Sequence, residues 1–206
     1  MAISYPLSTP TNIGIAQIEL RAINAVAYGR FPFTFVGQAF AYSGQMWTAD
    51  VSLPNMKRQD AEYWVTFLLS LRGQYGTFLL GDPLGATPRG VATGTPVVNG
   101  AGQTGGELDI TGATTSTTGW LLAGDYIQLG SAGTSTLHKV LADANSDGSG
   151  NVTVDIWPHL RTAPTNSSNV ILNDTKGVFR LASNEQAWSI NEISSYGIVF
   201  GAQESL

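Results

Sequence analysis

Trp47, Ala49, Val51 and Leu53 alternate strictly with Thr48, Asp50 and Ser52, and Pro54 ends the run. A period of two sends successive side chains to opposite faces, so this stretch predicts a half-buried strand. The period then changes. Ala61, Trp64, Val65, Leu68 and Leu71 fall on one stripe at helical spacing, which predicts a helix over 56–72. Asn55 is placed to cap it and Gly73 to end it in the left-handed conformation. Asp60, Glu62 and Arg72 match the helix macrodipole, whereas Lys57 and Arg58 oppose it, so burial of the Trp64/Leu68 face must hold the helix. A short apolar strand follows at 77–80.

Upstream, Ile18 and Leu20 alternate with Gln17, Glu19 and Arg21, which predicts a strand within 15–26. A Gly-Arg-Phe-Pro turn is expected at 29–32. Phe33, Phe35, Phe40 and Tyr42 then predict two strands around Gly37, interrupted again at Gly44, with aromatic rings covering a sheet face. Residues 1–14 carry Pro6, Pro10 and Gly14 beside Ile3, Tyr5 and Leu7, the pattern of an extended arm that docks.

The pattern changes again after 81–90, GDPLGATPRG, whose Gly and Pro content marks a loop and a boundary. From 91 to 175 the chain is rich in Gly, Thr, Ser and Asn and has no helical period. Strands are expected at 107–111, 120–122, 126–129, 136–141, 151–157 and 169–172, which argues for a small barrel or sandwich. The segment 178–206 returns to longer strands, VFRLA, QAWSINEI and YGIVFGAQE. The fold class is therefore mainly β. One β-domain with a single flanking helix, formed by 1–85 and 176–206, is interrupted by an inserted β-module at 86–175.

Composition adjusts this picture. Charged residues are only 12% of the 206, about half the usual share, so the surface is largely uncharged polar. That suits a subunit packed among copies of itself. The net charge of −5 without a Lys/Arg run argues against a nucleic-acid-groove or anionic-membrane binder. With no cysteine there is no disulfide, thiolate nucleophile or Cys-bound zinc. The first residues lack a basic segment and an apolar stretch, and the apolar run 64–71 is far shorter than a bilayer requires. A soluble protein made in a cytoplasm, without membrane insertion, is expected.

Chemistry-bearing residues are sparse. Asp143, Asn145, Asp147 and Gly148 copy the first half of a calcium loop, but the twelfth position, where a bidentate Glu belongs, is Val154. A polar hairpin turn accounts for them. His138 and His159 lie in a strand and a turn, with no G-x-S-x-G elbow to supply a nucleophile. The acidic residues Asp50, Asp60, Glu62, Asp82 and Asp125 are dispersed, and no pair is picked out for glycoside hydrolysis. GAGQTGG at 100–106 lacks the Lys-Ser/Thr of a phosphate loop. Trp120, Tyr126 and Trp157 are candidate glycan contacts if they are not core. No catalytic residue, cofactor or metal is expected, and neither is an enzyme.

The phrases TFLLGDPLGATPRG, GAGQTG, AGDYIQLG with LHKV, DIWPHLR and GVFRLAS, taken together across nearly the whole chain, resemble distal tail proteins of long-tailed, non-contractile bacteriophages. The resemblance implies a homo-hexameric ring joining the tail tube protein to the tail-tip hub. It implies a tube-type β-sandwich with one helix around a lumen through which the tape-measure protein and viral DNA pass without sequence-specific binding. The inserted module would be an OB-like or galectin-like barrel, and the location the virion tail. Better-known members carry their outer module after the ring domain rather than inside it. Asp50 and Glu19, on polar strand faces, are candidates for an acidic lumen. The alternative is a receptor- or carbohydrate-binding minor tail protein acting through the middle module.

Overall fold

The computed structural model describes residues 3–192 and 195–206. Its strands form two sheets. The first takes β1 (Leu7–Ser8), β2 (Gln17–Arg30), β3 (Gly37–Ser52), β4 (Met56–Lys57) and β5 (Phe78–Leu80) from the early chain. The second holds β6 (Gly94–Val98), β7 (Gly105–Ala113), β8 (Tyr126–Leu129), β9 (Thr136–Val140), β10 (Val152–Leu160) and β11 (Val170–Ile171). The late strands β12 (Gly177–Leu181), β13 (Trp188–Ile190) and β14 (Ser195–Glu204) rejoin the first sheet. The one α-helix among the described residues, α1, spans Arg58–Ser70.

The first sheet runs β1-β5-β12-β14-β3-β2. Strand β14 holds it together: its C-terminal half pairs with β3 and β12, and its start pairs with β4 and β13. One face of β3 and β14 carries Trp47, Ala49, Val51, Ile198, Phe200 and Ala202, all buried. Against that face lies α1 through Ala61, Trp64, Val65, Phe67 and Leu68. Trp64 packs on Phe67 and Phe200, and Phe67 on Phe78, at 5.5–6.1 Å between ring centres. The helix is held by this burial, since its start has no side-chain cap. The Trp64 Nε1–H has no acceptor among the described residues, a cost of about 1–3 kcal/mol that the buried ring must offset.

Three local expectations need correction. The helix starts at Arg58, and Lys57, not Asn55, occupies the N-cap position. The reason is tertiary: Met56 and Lys57 pair with Tyr196 and Ser195, which holds the chain extended past Asn55. The chain turns at 31–36 rather than 29–32, and neither Gly37 nor Gly44 breaks β3. Residues 120–122 form only an isolated bridge, Leu121 with Ala144. At the helix end, Arg72 and Gly73 both take positive φ, 53° and 68°. The arm docks: Leu7 and Ser8 pair with Phe78 and Leu79, and the Tyr5 hydroxyl donates to the Ser70 carbonyl at 2.7 Å. Met1 and Ala2 of the expected arm, and Ile193 of the expected strand 186–193, lie outside the described residues.

The second sheet runs β11-β8-β9-β10-β7-β6, antiparallel throughout. Its ends nearly meet, because Val98 exchanges backbone bonds of 2.9 Å with Ser168 and Ser167 beside the Val97–Asn169 bridge. The result is a nearly closed barrel filled by Leu108, Ile110, Trp120, Leu121, Ile127, Val154 and Ile156. Asp125 ties the incoming loop to it: its buried carboxylate accepts from the backbone N–H groups of Arg89, Gly90 and Leu122.

Candidate assembly interface

Strands β2 and β3 form one antiparallel ladder from Gln17–Ser52 at the base to Arg30–Gly37 at the tip. Their lower halves belong to the first sheet. Beyond Ile23 and Met46 they leave it, since β14 pairs only with Thr48–Ser52 of β3. The free part, Ile23 to Arg30 and back, projects roughly 25 Å at about 3.4 Å per residue. Among the described residues no strand pairs with the outer edge of β2 anywhere along its length, nor with β3 below Thr48.

The projecting part has the composition of a protein interior. Tyr28, Phe31, Phe33, Phe35, Phe40 and Tyr42 are 56–85% exposed, beside exposed Ile23, Val26 and Val36. Successive pairs alternate faces, so Ala27 and Phe40 share one and Tyr28 and Ala39 the other. Tyr28 lies over Gly37, where any Cβ would collide with its ring. The only charge between residues 22 and 49 is Arg30, stacked 4.5 Å from the centre of the Phe35 ring.

The hairpin leaves the body at a register irregularity between Asn24 and Val26, where three residues of β3 oppose one of β2. The barrel grips it there. Trp157 Nε1–H donates to Asn24 Oδ1 at 2.7 Å, and the His159 N–H to Gln45 Oε1 at 2.7 Å. Arg161 donates through both terminal nitrogens to the Glu204 carboxylate at 2.8 and 2.7 Å, and to the Gln45 carbonyl at 2.6 Å. Glu204 is buried and also accepts from the Trp47 N–H. Trp47 in turn donates from its ring to the Leu137 carbonyl and meets Trp157 edge-on at 4.5 Å. The barrel and the first sheet thus share one polar seam at the hairpin root.

His138 lies just behind that seam. Its Nδ1 is 2.6 Å from the Pro158 carbonyl, which only accepts, so Nδ1 carries the proton and Nε2 accepts from the Thr136 hydroxyl. Burial pushes its pKa down to about 4, against the opposing pull of the Pro158 bond. It is a neutral, fully bonded core histidine. His159 lines a shallow cleft of about 430 Å³ with Glu107 and Asp155, 21 residues further along the chain from His138 and in a different setting. Among the described residues the one hydroxyl bonded to either ring is that of Thr136, on the buried His138.

The other sequence candidates disperse. Asp143 accepts from Ala123 N–H, Asn145 from Gly119 N–H, and Asp147 from the N–H groups of Ser149 and Asn151. Only Asp147 closes the expected turn, while Asp143 and Asn145 tie this segment to the loop at 119–123; the Asn151 and Ser149 bonds hold the Asp147 carboxyl below its usual range. No three ligating side chains converge among the described residues. Trp120 is fully buried in the barrel core, Tyr126 is buried beside Trp47, and Trp157 is half-buried in the seam. These three rings therefore form no open platform for a sugar. Glu19 and Asp50 both pair with Arg21, which cancels one of the two negative charges expected of that face.

Sequence reasoning found the aromatic residues of 31–42 but assigned them to covering a sheet. The missed signal is the absence of any acid from 22 to 49, which no solvent-exposed ribbon needs. No helix among the described residues is long and apolar enough to cross a membrane. No protein-family model matches the chain, and no curated protein matches it.

Proposed function

We propose that this chain is a structural subunit of a bacteriophage tail, a distal tail ring connecting the tail tube to the tail-tip hub. The observation that carries this reading is the outer edge of β2. It is 14 residues long, unpaired among the described residues, and lacks the Pro, Lys or inward charge that protects edge strands from pairing. Such an edge supports strand addition by a neighbouring chain. Applied head to tail, strand addition closes into a ring when the rotation allows it. The low charge content and the tail-protein resemblance of the sequence support the same reading.

On this proposal the function is geometric and needs no catalytic residue or cofactor. Six copies would surround a lumen for the tape-measure protein and viral DNA, with the tube protein on one side and the hub on the other. The site of action would be the virion tail. Native mass spectrometry and negative-stain imaging of the purified full chain test it. A closed ring is expected, and a stable monomer at high concentration would overturn it.

A further inference from the structure

Building on the ring reading, we infer that the projecting part of the β2–β3 hairpin is a docking arm that buries its rings on the body of a second copy of this chain. Three observations fix the occupant. The first is area. Six rings at more than half exposure, spread over both faces of the ribbon, together offer on the order of 800 Å² of aromatic surface, taking about 200 Å² for each whole side chain, so a neighbour must cover both faces. A typical monomer tolerates a patch of about 300–600 Å², and one side of a stable interface buries about 800 Å².

The second is charge. Residues 22–49 contain one Arg and no acid, and the whole chain carries −5, so the remainder carries −6. A cationic arm is attracted to such a body and repelled by its own kind, so the contact joins unlike surfaces.

The third is the backbone. Both outer edges of the projecting ribbon carry unpaired N–H and C=O groups among the described residues. Deep burial in lipid would leave them unsatisfied, whereas a protein surface supplies partners. An isolated two-stranded ribbon is also only marginally stable in water, so the arm requires cover to hold its shape. The seam at Asn24, Gln45 and Arg161 aims the arm away from its own body, leaving a neighbour as the surface within reach.

The chain has no cysteine, so a single Phe33→Cys substitution places one photo-crosslinker at the arm tip of the full-length protein. Heavy and light isotopic chains are mixed, irradiated and digested. Links from the tip of one chain to residues 3–22 or 46–206 of the other are the expected result. Links from tip to tip, or only within one chain, would overturn the inference. So would binding of the unmodified protein to vesicles of phosphatidylcholine and phosphatidylglycerol that Phe33→Ser abolishes.

A second variant, Phe33→Ser with Phe35→Ser, separates the inference from the reading beneath it. It is expected to keep the wild-type thermal midpoint in dilute, monomeric protein and to lose self-association at least tenfold at higher concentration. If it forms rings like the wild type, the arm inference fails and the ring stands. If the wild type itself is monomeric, both fall.

Discussion

Val51 and Val26 lie on the same two-stranded ladder, and only one of them is buried. Val51 sits near the base, inaccessible beneath α1, whereas Val26 is 54% exposed on the projecting arm. Backbone pairing joins β2 to β3 in both places. What differs is the third layer. Near the base, Trp64 and Leu68 cover the inner face and β14 pairs with the β3 edge. On the arm neither is present, although its side chains are at least as apolar. Hydrogen-bonded pairing alone therefore does not explain the composition of the arm, since net backbone bonding is modest and burial supplies most of the driving force.

Substitutions can break this contrast in order of expected size. Leu68→Asp puts an unpaired charge into the layer that covers the base and should cost more than about 4 kcal/mol. Far-UV circular dichroism should show no cooperative unfolding. A folded variant would mean that the helix does not hold the sheet.

The second test concerns the corner that joins base to barrel. The folded pKa of His138 is about 4, below its ordinary 6.5. The unfolded chain therefore binds more protons between these values. The contribution, about 3 kcal/mol, is complete above pH 6.5, is lost as pH falls toward 4, and is flat below. His138→Gln should remove that part of the pH slope in urea titrations. An unchanged slope would show that His138 does not control it.

Arg161→Ala leaves Glu204 buried without its cation and should cost about 2–3 kcal/mol, discounted because the guanidinium is partly exposed. Hydrogen exchange should rise in residues 22–26 and 43–47 more than in the barrel. Uniform loss of protection would deny the seam its role at the hairpin root.

The smallest effect is the most pointed. Val51→Ala should cost about 2 kcal/mol and Val26→Ala less than about 0.5 in dilute, monomeric protein. Self-association should respond in the opposite order. Equal stability costs would mean that the two halves of the ladder are not different in kind.

Much of this was legible along the chain. The alternation at 47–53 and the stripe Ala61, Trp64, Val65, Leu68 identify the base strand and its helix, because a buried face repeats with the period of its own element. The composition change after 81–90 marks where one sheet ends and the next begins. Local patterns failed where the deciding partner was distant. Asn55 has the chemistry of a cap, but pairing of Met56 with Tyr196 removes the position. Trp120, Tyr126 and Trp157 are alike in sequence, yet one fills the barrel, one the first core, and one binds Asn24 across 133 residues.

The sequence by itself determined the mainly β class, the base strand at 47–53 and the buried stripe of the helix, since periodicity and residue type are local properties. Only the tertiary structure decided that Phe31 to Tyr42 stand away from the body. Whether an apolar ribbon is core or arm depends on which distant segment covers it, and a two-residue period reads the same in either case.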